Sequence, residues 1–254
     1  MSSYTGYHAE LYDHFYGKKP YKREVSFVRG CLKKYSASSV KNILDLACGT
    51  GSHALHLSQF DYSITAADYS RDMLRVAARK LSGASNVKVM YMDMLKFRKF
   101  SKPFDAVLCL FDSIGYVNTN ENILKVLEGV HNNLRKNGLF IVEFWNAGSM
   151  LRSFEPMRVR SWKAGDKKIT RKSQTKLRYF KQLADVSYSI SVYDKSRNLE
   201  RKIRETQTNR YFLVQEMNLF LCESGFKPVK WFDGYRNKTV NENSWHTVCV
   251  ARRK

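Results

Sequence analysis

The sequence predicts an α/β fold: a doubly wound, mostly parallel seven-stranded sheet with a small antiparallel β insertion after strand five. Three observations predict it. Apolar strand candidates alternate with helical patterns from Lys41 to Phe144. The stretch ILDLACGTGSH, Ile43–His53, reads as a strand, a glycine-rich turn and the start of a helix. Later the period changes to two, where Val186, Tyr188, Ile190 and Val192 alternate with Ser187, Ser189 and Ser191.

The elements follow in order. Residues 1–35 are expected to be helical and outside the core sheet. Lys41–Leu46 is the first strand and Ser52–Gln59 a helix. Ser63–Ala67 is a second strand, closed by Asp68. Ser70 caps a helix to Leu81, with Met73, Leu74, Ala77, Ala78 and Leu81 at helical spacing. Val87–Met90 and Phe104–Leu110 are strands three and four. Asn120–Leu134 is a helix with its stripe at Ile123, Leu124, Leu127, Val130 and Leu134, and Asn137-Gly138 is expected to stop it. Leu139–Phe144 is strand five. A hairpin turning at Asp194–Asn198 follows, joined by a strand from Lys168–Tyr179. A helix (Val214–Ser224), Gly225 and strands Lys227–Phe232 and Ser244–Ala251 complete the chain. The domain reading is a core of residues 1–149 and 212–254 interrupted by a basic β insertion at 150–211, on the substrate side or at a dimer contact.

The chain has 254 residues, is 43% hydrophobic and 26% charged, and can bury a real core. No apolar run approaches the roughly 18 residues that span a bilayer. The N-terminus has no apolar signal region. Five scattered cysteines without CxxC spacing argue against a disulfide framework or zinc ribbon, and for a reducing cytoplasm. The formal net charge is +21, of which residues 151–254 carry +14. Such a charge makes contact with polyanions plausible, but the basic residues do not interleave with a nucleic-acid motif. A solvated basic surface is the favoured reading.

The turn Gly49-x-Gly51-x-x-Ala54 fits several nucleotide-like ligands. No Gly-Lys-Ser/Thr follows it, which excludes a P-loop. Asp45 closes the first strand, four residues before Gly49. A carboxylate there disfavours a pyrophosphate on the helix N-terminus and suits a ligand with an ammonium and a sulfonium. Asp68 closes strand two, where an acid can accept from both ribose hydroxyls. Asp93, just past strand three, can hold an adenine amino group beside Met94. His53 and His56, three apart, lack a carboxylate or cysteine at metal-ligand spacing, so no metal site is expected. His246, beside Trp245, is read either as approaching a substrate mouth or as a satisfied strand residue. Asp112, after strand four, either touches an acceptor amine or caps a turn.

With these residues in place the sequence resembles the class I, Rossmann-like methyltransferases that use S-adenosylmethionine (AdoMet). The resemblance rests on LDLACGTG (Leu44–Gly51), AADYSRDML (Ala66–Leu74), MDM (Met92–Met94) and FDAVLCLFDSIGYV (Phe104–Val117). It implies AdoMet as cofactor and S-adenosylhomocysteine as product. The cofactor contacts it implies are Tyr21, Asp45, Ala47, Gly49, Thr50, Gly51, Asp68, Tyr69, Met73, Asp93, Met94 and Leu110. The N-terminus, LFDSIGYV and VEFWNAG are similar to small-molecule N-methyltransferases, in particular the N,N-dimethyltransferases of nucleotide-linked amino sugars. That subgroup implies a tyrosine near the transferred methyl, matched by Tyr12, and a Ser-Ile-Gly-His loop. Here Tyr116 stands in place of the histidine, and a tyrosine is a poor base at neutral pH. Tyr12 and Tyr116 are assigned to steering the nucleophile, and Ser113, Trp145 and Asn146 to the acceptor.

The function expected is methyl transfer to a small-molecule acceptor, foremost an amine. The alternative is an RNA methyltransferase using Arg158–Arg178, which holds nine basic residues and one acid. A small-molecule O-methyltransferase ranks lower. The partners expected are a small acceptor, no membrane, nucleic acid only as the less favoured reading, and a homodimer as a compatible state.

Overall fold

The structure is a computed structural model that describes residues 4–254. Two helices open the chain: α1 (Tyr7–Tyr16) and α2 (Tyr21–Tyr35). They agree with the helical N-terminal reading from Tyr7 on, while residues 4–6 are not helical; residues 1–3 of that reading lie outside the described residues. Alternating elements follow: β1 (Asn42–Leu46), α3 (Ser52–Leu57), β2 (Ser63–Asp68), α4 (Arg71–Lys80), β3 (Val87–Tyr91), β4 (Phe104–Cys109), α5 (Asn120–Asn133) and β5 (Leu134–Trp145). After α6 (Ala147–Ser153) come β6 (Met157–Ala164), β7 (Lys167–Arg178), β8 (Leu183–Asp194) and β9 (Leu199–Arg210). The chain then returns through α7 (Val214–Glu223), β10 (Phe226–Asp233) and β11 (His246–Arg253).

The large sheet has seven strands in the order β10-β11-β5-β4-β1-β2-β3. β1 pairs in parallel with both β2 and β4, and β11 runs antiparallel between β5 and β10. The order reverses at β1, which opens a crevice at the carboxyl ends of β1 and β4. One apolar layer, including Val107, Val126, Phe140 and Phe144, fills the α5/α7 side. Another, including Val28, Ile43, Ala77 and Leu108, fills the α2/α3/α4 side. Burial on both faces explains why β1 and β4 are continuous apolar runs.

The second sheet is antiparallel, in the order β6-β7-β8-β9. Its inner face lays Trp162, Ile169, Ile190 and Val192 on Leu11 and Phe15 of α1. The helix is thereby held between the two sheets, on the open side of the crevice.

Two expectations need correction. Asn137-Gly138 does not stop α5. The helix ends at Asn133, where Leu134 turns extended and starts β5, while Asn137 takes a left-handed φ of 63° inside a shift of register between β4 and β5. The edge strand β6 went unread because Arg158, Arg160 and Lys163 alternate with Val159, Ser161 and Trp162, a pattern that resembles a charge run. Helix α6 runs across residues 149 and 150, and the antiparallel sheet spans 157–210.

Phe212 fastens the second sheet to the first. It is fully buried, its N–H donates to the Trp145 carbonyl at 2.9 Å, and its own carbonyl accepts from Ala147 N–H at 2.8 Å. Its ring meets Phe144 edge-on at 5.7 Å. Phe212→Ala is expected to cost about 3–5 kcal/mol of stability through the cavity it leaves, measured by denaturant unfolding. Because this contact joins the sheets, the variant should also be nicked within 157–210 sooner than wild type under limited proteolysis.

Candidate active site

A cavity of about 1140 Å³ fills the crevice and extends beneath the second sheet. Its inner half is built at the ends of β1, β2 and β3. Asp45 is 2% exposed, and its Oδ2 has no hydrogen-bond partner among the described residues. Burial pushes its carboxyl up to about 6, against the lowering effect of His53. A buried carboxylate oxygen left bare on a cavity wall calls for a cationic or N–H ligand. Asp68 accepts from the N–H groups of Gly49 and Ser70, each at 2.8 Å, and each of its oxygens keeps acceptor capacity toward the cavity. Its carboxyl is raised by burial, opposed by those N–H groups.

Gly49 has a φ of 58° and open space where a Cβ would project, so the backbone can approach a ligand closely. Gly51 differs. Its φ is 75°, and a Cβ would meet Leu81 Cδ1 at 2.8 Å. It packs the turn against α4 and does not line the cavity. Ala47, Thr50, Tyr69, Met73, Asp93, Met94, Leu110 and Tyr21 all line it. Thr50 donates to Asp13 at 2.7 Å, and Lys80 reaches Asp13 at 2.9 Å, which ties α1 to the glycine turn. Asp93 accepts from Leu95 N–H at 2.9 Å, fixing the carboxylate just past β3.

The outer half is aromatic and cationic. Tyr4, Tyr12, Tyr16 and Tyr116 gather over the strand ends. The hydroxyls of Tyr4 and Tyr116 lie 3.0 Å apart, and Tyr116 donates to Gln207 of β9 at 3.1 Å. Burial raises the Tyr4, Tyr12 and Tyr116 hydroxyls well above the usual phenol value. They remain phenols at neutral pH. Arg158, Arg160 and Arg171 enter from the second sheet. Arg160 and Arg171 are directly opposite across β6 and β7. Arg171 is boxed by the rings of Phe15, Tyr16, Trp162 and Tyr188, 4.6–5.4 Å from its guanidinium carbon.

Of the proposed acceptor residues, Ser113 and Trp145 line the cavity and Asn146 does not. Ser113 donates to the Leu110 carbonyl at 2.8 Å and steadies the turn after β4. Asn146 is buried as the cap of α6, accepting from Gly148 N–H at 3.3 Å and donating to the Ser244 carbonyl at 2.9 Å. The geometry makes it a structural cap.

Sequence reasoning passed over Tyr4 and Tyr16, and it read the three arginines only as part of the basic stretch Arg158–Arg178. It also passed over Glu143. A lone carboxylate in LFIVEFW was a readable signal, since a charge in a buried strand needs partners. Glu143 is 2% exposed and accepts from Phe111 N–H and the Tyr235 hydroxyl. His246 is held at Nδ1 by Asp112, with oxygens at 3.0 and 3.1 Å, and by Glu143 at 3.3 Å.

The description "methyltransferase domain" fits residues 43–138. A putative methyltransferase of Bacillus subtilis, YqeM, is 29% identical over 140 residues, covering 55% of this chain and 54% of that protein. The dTDP-3-amino-3,4,6-trideoxy-alpha-D-glucopyranose N,N-dimethyltransferase of Streptomyces venezuelae is 32% identical over 140 residues, covering 54% and 57%. The match spans about half the length of these two relatives. Among solved structures, an S-adenosylmethionine-dependent methyltransferase from Clostridium acetobutylicum superposes with a TM-score of 0.82 at 20% identity, over 96% of this chain and 97% of that one. Relatives named for amino sugars give the RNA alternative no support. With its glycine turn and its three strand-end acids, the segment 43–138 matches the methyltransferase domain, and the whole chain shares the fold of an S-adenosylmethionine-dependent methyltransferase.

Proposed function

We propose that this protein transfers a methyl group from AdoMet to the nitrogen of a small amine of amino-sugar type carrying an anionic group. The observation that carries the reading is the two-ended cavity. Acids line its inner half, Asp45 with an unpartnered oxygen, and phenols and guanidinium groups line its outer half. The names of the amino-sugar relatives support the acceptor class.

The residues present fit the cofactor. The unpartnered Oδ2 of Asp45 suits the methionine ammonium, directly or through water. Asp68 would hold the ribose hydroxyls, and Gly49 leaves the backbone close to the cofactor. Asp93, Met73 and Met94 would receive the adenine, with Tyr69 at the mouth and Leu110 on the wall. Tyr21, Ala47 and Thr50 complete the methionine end. Bound AdoMet supplies an electrophilic methyl on a sulfonium.

The chain's own contribution is mainly positional. Tyr12 and Tyr116 orient the nucleophile as neutral hydrogen-bonding groups; their raised hydroxyls rule them out as bases. Trp145 and the loop at Ser113 shape the acceptor side. Arg160 and Arg171, like charges directly opposite, repel unless an anion sits between them. A phosphate or carboxylate on the acceptor meets that need.

The test is turnover of dTDP-3-amino-3,4,6-trideoxy-glucose with AdoMet, read by mass spectrometry beside a panel of simple amines. Mass gain on an amine is the expected result, and none on any amine would overturn the reading. Arg171→Ala should raise KM for an anionic amine about 10-fold or more, with a smaller change in kcat.

A second prediction concerns Asp45. Its raised carboxyl is a stability cost, fully present above about pH 6 and fading as pH falls toward the unfolded value of 3.8. That shift corresponds to at most about 3 kcal/mol. Ligand-free Asp45→Asn should therefore melt at or above the wild-type temperature at pH 8. It should bind S-adenosylhomocysteine at least about 10-fold more weakly by calorimetry, a loss worth about 1.4 kcal/mol.

A further inference from the structure

The tyrosine at position 116 leaves the expected amine methylation without its loop histidine. The phenols of Tyr4, Tyr12 and Tyr116 stay protonated at neutral pH, and the arginines cannot accept a proton. The turn between β4 and Ser113 offers another group. Phe111 and Asp112 are consecutive non-glycine residues with left-handed φ values of 54° and 57°. Such backbone is costly and persists where it aims a side chain. It places the Asp112 carboxylate, 4% exposed, in the cavity wall, in the same turn as Ser113 and Tyr116.

We propose that Asp112 is the proton acceptor for the substrate ammonium, with His246 and Glu143 as the residues that position it. This rests on the amine reading above. The step breaks one N–H bond of the ammonium and forms one O–H bond on Asp112. The lone pair left on nitrogen is then free to take the methyl, and Asp112 returns its proton to water as product leaves.

Two neighbouring strands make the carboxylate fit for this. His246, at the start of β11, faces only carboxylate oxygens at Nδ1, so Nδ1 carries a hydrogen and donates. Burial alone would lower the imidazole, but Asp112 and Glu143 lift it to about 11. His246 is therefore an imidazolium, which cannot itself take the amine's proton. Glu143 on β5 is kept ionised by His246, the Tyr235 hydroxyl and the Lys19 charge, against its own burial. The three groups together carry one negative charge and have room for one more proton. Asp112 is the member whose carboxyl is raised, by burial first and by Glu143, with His246 opposing. That narrows the gap between the carboxyl and an ammonium donor. Tyr116 and Cys109 also face it, and both keep their protons in this setting.

The sign of the pH dependence follows. The working form is the carboxylate, so turnover is present above the Asp112 pKa and lost as pH falls through it. Removing the imidazolium raises that pKa and moves the acid limb to higher pH. The experiment compares wild type, Asp112→Asn and His246→Gln. S-adenosylhomocysteine binding checks each fold, kcat against pH is measured with dTDP-3-amino-3,4,6-trideoxy-glucose, and carboxyl titrations are followed by carbon-13 NMR.

Asp112→Asn should lose about 100-fold or more in kcat and one carboxyl signal that titrates above the ordinary aspartate range. His246→Gln should keep that signal, with its titration and the acid limb of kcat shifted upward together. Wild-type kcat in Asp112→Asn, or an acid limb unmoved in His246→Gln while the cofactor product still binds, would overturn the proposal. A wild type that binds the cofactor product but never methylates the amine would instead overturn the functional reading on which it rests.

Discussion

The site depends on the reversal of strand order at β1. Because β2 and β4 both pair with β1 in parallel, the chain must leave the sheet in opposite directions on its two sides. The carboxyl ends of β1 and β4 then cannot be covered by their own connections. That opening is what the glycine turn, Asp45 and Asp68 line on one side, and Leu110 to Tyr116 on the other. The apolar layers on both faces hold the strands rigid, so acids at their ends sit at fixed depth. A carboxylate as buried as Asp45 would be disfavoured in an ordinary fold. Here the surrounding core supplies the stability that an unfilled polar site gives up.

The second sheet and α1 turn this open crevice into an enclosed chamber. α1 buries Leu11 and Phe15 against the second sheet, and Ala9 and Tyr12 against Met73 of α4. Its polar contacts span the same gap: His8 to Glu205 of β9 at 2.8 Å, and Asp13 to Thr50 and Lys80. The helix therefore belongs to both halves of the molecule. Tyrosines that are remote in sequence converge on the cavity because α1 is packed against both. Burial in this space raises the hydroxyls of Tyr4, Tyr12 and Tyr116, and His246 meets its carboxylate partners at 3.0–3.3 Å.

Charge is distributed by use across the chamber. Acids concentrate where the cofactor's cationic groups would lie, and guanidinium groups concentrate on the far wall. The large positive balance of residues 151–254 contributes to the cavity through only three arginines, while many of the lysines lie on exposed strand positions of the second sheet. Composition alone made that balance look like a polyanion surface, and burial separates the few cations that face the chamber from the many in solvent.

The sequence by itself determined the α/β core. Apolar period and length fix strands and helices locally, and the spacing of Asp45, Asp68 and Asp93 at successive strand ends identifies a crevice ligand without any tertiary contact. Strand β6 and the end of α5 were not legible, because an edge strand with arginines inward and a helix that passes directly into a strand carry no distinct periodic signal. Asn146 and Gly51 show the complementary limit: their positions matched a motif, yet packing turned both away from the cavity. The aromatic roof, the arginine pair and the joining of Asp112, Glu143 and His246 were decided only by tertiary structure. Asp112 and His246 alone lie 134 positions apart, and Arg171 lies 155 from Tyr16; no local rule brings them together, and the sheet order and the docking of α1 do.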